Sequence, residues 1–97
     1  MTGDRFEWGD GKAESNRHKH GVTFEEAETA FDDPSAIDAP DEKHSAREER
    51  WVWIGLSNRL RLLTVIYTEQ DEAIRIISAR RSNRTEAARY AAQAFGA

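Results

Sequence analysis

Residues 49–80 read ERWVWIGL, SNRL, RLLTVIYT, EQDE, AIRIISAR: three apolar stretches of eight separated by two polar stretches of four. Trp, Val, Ile, Leu, Thr and Tyr dominate the long pieces, the composition that suits a pleated, half-buried surface. The spacing predicts strands over 49–56, 61–68 and 73–80, with a turn at Ser57-Asn58-Arg59 and another leading through Glu69-Gln70-Asp71-Glu72. Connections this short force antiparallel neighbours, because a parallel crossover needs a dozen residues or more. The strand centres are apolar at consecutive positions, so other elements must cover parts of both faces. Gly55, near the end of the first strand, fits a bulge or a close approach.

Working outward, 83–95 reads as an Ala-rich helix capped by Ser82 or Asn83. Toward the N-terminus, Arg5-Phe6-Glu7-Trp8 alternates as a short strand does, and Gly9-Asp10-Gly11 breaks it. Asp10 is the expected N-cap of a polar helix over 11–20, which Gly21 ends. Thr23 and Glu26 have the spacing of a capping box, opening a helix with Phe24, Ala27, Ala30 and Phe31 on one face. That helix stops at Asp32-Asp33-Pro34. The polar stretch 32–47 is long for a loop, so a short edge strand is expected over 35–39. The result is a single α+β domain over residues 1–97, with a small antiparallel meander sheet and the order β-α-α-β-β-β-β-α.

Composition removes several function classes. No Cys is present, which excludes a disulfide scaffold and thiolate chemistry. No apolar run approaches the roughly 20 residues of a membrane span, and Met1-Thr2-Gly3-Asp4-Arg5 has no signal-peptide pattern, so a cytoplasmic location is expected. The net charge of -4 is divided: 1–49 holds six Lys/Arg against fourteen Asp/Glu, and 50–97 holds eight Arg against four Asp/Glu. Arginine grips phosphates and carboxylates with a planar fork, so an Arg-rich half could meet RNA or an acidic protein.

Three groups could carry chemistry. His18-Lys19-His20 is the densest titratable cluster; imidazoles move protons near neutral pH and ammonium groups neutralise phosphate. The two His point in different directions on a helix, so no metal site is expected there, and basic groups in a last helical turn also suit the helix dipole. On the strands, Arg61 shares a face with Leu63, Val65 and Tyr67. Arg80 is expected beside Ser78, Ile76 and Ile74, with Arg75 opposite alongside Ile77. An Arg beside an apolar strand centre must reach a rim or a partner. Arg80-Arg81-Ser82-Asn83, before the last helix, is a credible anion site; ordinary salt bridges are the competing use. Glu49 could serve as a base or orient Arg50 by an ion pair. Trp8, Trp51 and Trp53 read as core rather than stacking platforms. No phosphate-cradling Gly loop, zinc spacing or hydrolase elbow is present. A cationic surface without a metal constellation suits RNA cleavage by the 2′-hydroxyl, which needs positioning, charge neutralisation and proton transfer; a small protein-binding or regulatory module would leave the same traces.

The chain resembles the BrnT family of bacterial type II toxin–antitoxin toxins. The resemblance runs from about Phe6 to Tyr90. Its motifs are Trp8…Lys12…Asn16…Lys19-His20-Gly21, Phe24-Glu25-Glu26-Ala27…Phe31-Asp32, Glu49-Arg50, Ile54-Gly55, Arg61-Leu62-Leu63, Arg75-Ile76-Ile77-Ser78-Ala79-Arg80 and Glu86…Arg89-Tyr90. It implies a RelE-like fold and a metal-independent endoribonuclease, without cofactor, that inhibits translation. It implies a BrnA-type antitoxin with a ribbon-helix-helix part, DNA contact only through that antitoxin, and a dimer or 2:2 complex. By motif it implies Lys19, His20, Glu49, Arg50, Arg61 and Arg80 as catalytic residues. Geometry adds Tyr67 and Arg81 as substrate-binding. In these terms His20 or Glu49 accepts the proton, Arg61 and Arg80 clamp phosphate, and Lys19 supplies a second charge. A sequence pI near 5.3 departs from the usual basic RNA-cleaving toxin and keeps open a non-catalytic, antitoxin-binding homologue. A direct DNA-binding regulator is disfavoured, since no expected helix has a continuous basic face.

Overall fold

A computed structural model describes residues 5–44 and 48–96; Met1–Asp4, which carried the signal-peptide argument, and the end of the 32–47 stretch lie outside the described residues. The elements run β1 (Arg5–Glu7), α1 (Asp10–His20), α2 (Phe24–Ala30), β2 (Ile37–Pro40), a 3-10 turn (Glu42–His44), β3 (Trp51–Leu56), β4 (Leu62–Gln70), β5 (Ala73–Arg81) and α3 (Arg84–Phe95). This is the expected α+β order. The sheet order is β1-β5-β4-β3-β2, and β2, β3, β4 and β5 pair antiparallel as a meander. β1 joins the far edge parallel to β5, a pairing across nearly 70 residues that local sequence signals do not carry.

The helices α1 and α2 cover one sheet face. Leu63, Val65, Tyr67, Ile74, Ile76 and Ala79 pack there with Val22, Phe24, Ala27, Ala30 and Phe31. Phe31 organises this core: its ring stacks on Trp53 at 4.7 Å and meets Phe6 and Tyr67 edge-on at 5.2 and 5.3 Å. Such aromatic pairs contribute about 1 kcal/mol each beyond their buried area. Trp8 packs edge-on against Phe24, so the three tryptophans serve the core as expected. On the opposite face Glu86 of α3, and Ser82 just before that helix, are both bonded to Thr64 of β4. No residue of α3 is fully buried.

Gly55 is a close approach, not a bulge. A Cβ there would lie 2.7 Å from the Ala30 carbonyl oxygen and 2.8 Å from Trp53 Nε1, where the indole donates to that same carbonyl. The bulge falls instead between β4 and β5: Ile66 faces Ser78 and Tyr67 faces Ile76, leaving Ile77 unpaired. This shift corrects the strict alternation expected for β5. Ile74, Ile76 and Ala79 all enter the helix-covered core, while Arg80 sits opposite Thr64 on the α3 side.

Two caps also differ from expectation. Asp10 lies inside the first turn of α1 and Gly9 is the N-cap, so Asp10 favours the helix through its dipole rather than by a cap bond. Thr23 caps α2 by accepting from Glu26 N, but the return bond of a capping box is missing because the Glu26 carboxylate has other partners. Gly21 ends α1 at φ 69°, as a left-handed cap should.

Candidate active site

β1 pairs with β5 only as far as Arg75, so beyond that point the outer edge of β5 has no neighbouring strand. α1 lies along that edge. Asn16, 6% exposed, takes the place of a strand: its amide accepts from Ala79 N at 3.0 Å and donates to Ala79 O at 2.7 Å and Val22 O at 3.0 Å. Around this pivot opens a groove of about 350 Å³ lined by Lys12, Ser15, Lys19 and His20 of α1 and by Ile77 and Ser78 of β5. Positions 12, 15, 16, 19 and 20 recur at helical spacing and form one stripe. The side chains of Lys12, Lys19 and His20 make no hydrogen bond or ion pair with any described residue. Among the described residues no carboxylate lines the groove. Its chemistry is therefore that of two unpaired ammonium groups, an imidazole and two hydroxyls, which is a setting for a polyanion.

Sequence reasoning singled out Lys19 and His20 but missed Lys12 and Ser15 as site residues. The available signal was the stripe itself: on α1 the positions that turn inward are polar, which a purely structural helix against a sheet would not require.

Arg61 closes one end of this region. Its Nε donates to Glu26 Oε2 at 3.0 Å, its Nη2 contacts Glu26 Oε1, and Nη2 also reaches the Gly21 carbonyl at 3.3 Å. Glu26 is 5% exposed and also accepts from Ser57 Oγ at 2.7 Å. The Arg61 guanidinium holds the Glu26 carboxyl below the usual carboxylate range, against the effect of burial. Arg61 thus fixes the chain just past Lys19-His20.

Arg80 makes a two-pronged pair with Glu86, Nη1 to Oε1 and Nη2 to Oε2, each 2.8 Å. Glu86 belongs to a capping box with Asn83, the residue that caps α3. The Arg80 fork, opposed by burial and helped by donors from Asn83 and Thr64, lowers the Glu86 carboxyl to about 2. Glu26 and Glu86 therefore contribute stability that is fully present above their ordinary 4.5 and is lost as pH falls below it, for Glu86 toward about 2. Denaturant titrations from pH 6 to pH 2 should show a steep fall in this window, about 2 kcal/mol of it absent in Glu86→Gln. An equal pH slope in wild type and Glu86→Gln would contradict this linkage.

The remaining expected residues lie elsewhere. Trp51 faces Tyr67 and Ile76 across the sheet, whereas Arg80 faces Thr64 and Ile54, so Glu49-Arg50 and Arg80 sit at opposite ends of the strands. Four residues of strand separate those levels by about 13 Å. Arg50 pairs with Glu48 at 3.3 Å, and Glu49 is exposed beside Trp51. Tyr67 is 3% exposed and donates to Asp38 Oδ1 at 2.6 Å; burial and that carboxylate push its hydroxyl up. It offers little surface for stacking on RNA. Arg81 is exposed at the end of β5. Among the described residues no three His, Asp or Glu side chains converge as a metal-holding group. No helix of the described residues is long and apolar enough to cross a membrane.

A family model described as the ribonuclease toxin BrnT of a type II toxin–antitoxin system matches residues 8–86. The chain belongs to the BrnT family. The matched stretch holds the whole α1–β5 groove and every residue that the resemblance placed in the site. The crystal structure of the Brucella abortus ribonuclease toxin BrnT is similar to this chain at 26% identity and a TM-score of 0.65, covering 84% of this chain and 99% of the Brucella chain. No curated relative matches the sequence. As a member of the BrnT family the chain is a ribonuclease toxin of a type II toxin–antitoxin system, with an antitoxin as partner.

Proposed function

We propose that the chain cleaves RNA without metal in the groove between α1 and β5, and so inhibits translation. The observation that carries this is the groove's inventory: among the described residues the Lys12, Lys19 and His20 side chains have no partner and no carboxylate lines the walls. His20 accepts the proton of a ribose 2′-hydroxyl, whose oxygen then bonds the adjacent phosphorus. Lys19 neutralises the charge on the five-coordinate phosphorane, and the P–O5′ bond breaks as that oxygen takes a proton from water. The products are a 2′,3′-cyclic phosphate and a 5′-hydroxyl. Lys12 lies seven residues from Lys19, about 10 Å along the helix, and holds a neighbouring phosphate of the same strand.

Arg61 acts chiefly by position, through its bond to the Gly21 carbonyl. Arg80, its fork engaged with Glu86, keeps further N–H donors for a phosphate oxygen. Glu49, Arg50 and Arg81 would contact RNA only where the strand runs beyond the groove, and Tyr67, buried and bonded to Asp38, supports the sheet instead. The partner in this reading is a BrnA-type antitoxin with a ribbon-helix-helix part, in a dimer or 2:2 complex that contacts DNA through the antitoxin.

Induced expression tests the reading: growth arrest that the gene beside this one relieves is expected. A second reading draws on the carboxylates that neutralise Arg61 and Arg80: a homologue that binds antitoxin but cleaves poorly. It predicts a stable antitoxin complex with no growth arrest.

A further inference from the structure

The β3–β4 hairpin carries an anomaly that neither the core nor the groove explains. Leu60 has φ 61° and is 79% exposed. The turn geometry demands the left-handed conformation: Leu60 N bonds Ser57 O at 3.0 Å and Ser57 N bonds Arg61 O at 2.9 Å. Glycine or asparagine suits such a position, and leucine is unfavourable there twice, by backbone conformation and by apolar exposure. Three large apolar side chains are exposed among the described residues, and two of them, Leu60 and Leu56 (38%), belong to this hairpin.

The tip is nevertheless held firmly. Asn58 N donates to Thr29 Oγ1 at 2.9 Å, Ser57 Oγ to Glu26 Oε2 at 2.7 Å, and Arg61 to Glu26 as well. Leu60 is therefore presented by a preorganised loop, which lowers the ordering cost of binding. Cations flank it on one side: Arg59, 66% exposed and 3.8 Å from the Glu26 carboxylate, and across the Arg61–Gly21 bond the basic last turn of α1 with Lys19 and His20.

We infer that Leu60 is the anchor by which the antitoxin docks on this toxin, entering an apolar pocket rimmed by carboxylates. Charge complementarity selects an acidic protein segment as the occupant. A segment seated on the hairpin would continue over the end of α1 and cover the groove. This rests on the type II pairing of the family and not on RNA cleavage.

The test measures binding of the cognate antitoxin to the whole chain as wild type, Leu60→Gly, Leu60→Asn and Leu60→Met. Gly and Asn fit the backbone, so both variants should fold, with Leu60→Gly melting a few degrees higher. Antitoxin affinity should fall about tenfold or more in both, as expected for an interface anchor. Leu60→Met should stay within about threefold, and RNA cleavage by all four proteins should be unchanged. Wild-type affinity in Leu60→Gly would overturn the inference. Sedimentation showing a toxin dimer that Leu60→Gly abolishes, with antitoxin affinity intact, would overturn it in favour of a second copy. Failure of the wild-type chain to bind would overturn the pairing beneath it.

Discussion

Glu26→Ala is expected to cost about 3–4 kcal/mol and lower Tm by roughly 15–25 °C, an effect as large as truncating a buried core side chain. The reason lies in what remains. Glu26 accepts from Arg61, from Ser57 Oγ and at 3.8 Å faces Arg59. Its removal leaves the Arg61 side chain, 21% exposed, as a guanidinium without its carboxylate, and the Ser57 hydroxyl without its acceptor. A folded domain of this size has only about 5–15 kcal/mol in all. The double variant Glu26→Leu/Arg61→Met should recover much of the loss, since apolar replacement of a buried pair is often near neutral. Denaturant unfolding of the three proteins checks this; a Glu26→Ala cost under about 1 kcal/mol would contradict it.

His20→Ala should lower RNA cleavage by about 10²–10⁴-fold while leaving unfolding unchanged. The side chain is exposed at the end of α1, and its contribution is to proton transfer rather than packing. Lys19→Ala should lower turnover comparably, because charge develops on the phosphorane only as the reaction proceeds. Lys12→Ala should act differently. It removes a ground-state phosphate contact, so KM rises with little change in turnover, and the salt dependence of binding falls by about 0.7 in slope. Turnover within threefold of wild type in His20→Ala would remove the imidazole from the mechanism.

Arg80→Ala is less simple than the sequence suggests. A phosphate clamp could be removed without harm to the fold. A fork that closes on Glu86 cannot, because its loss strips the N-terminus of α3 of an ion pair that Thr64 and Asn83 share.

Much of the fold was legible in the sequence. Three β-rich stretches with short polar gaps fixed the meander, Gly21 announced the end of α1, and the Thr23 spacing announced α2. These are local signals, each read within a few residues. What the sequence concealed were encounters between distant residues. The parallel pairing of Arg5–Glu7 along β5 leaves no local mark. Asn16 could not be recognised as a surrogate strand for Ala79, 63 positions away. The unpaired Ile77 reversed the faces of β5, because alternation from a single strand cannot detect an extra residue opposite its neighbour. The same limit applies to the site. Lys19-His20 stood out as a cluster, but whether an arginine is free or already paired depends on a carboxylate elsewhere, and both Arg61 and Arg80 have one.

Cleavage of RNA by this chain's own side chains in the α1–β5 groove can be followed by incubating purified protein with single-stranded RNA in excess EDTA and analysing the fragment ends. The expected result is EDTA-resistant cleavage leaving 2′,3′-cyclic phosphate and 5′-hydroxyl termini, and its loss in His20→Ala. Intact RNA from folded wild-type protein, or cleavage that EDTA abolishes, would contradict it.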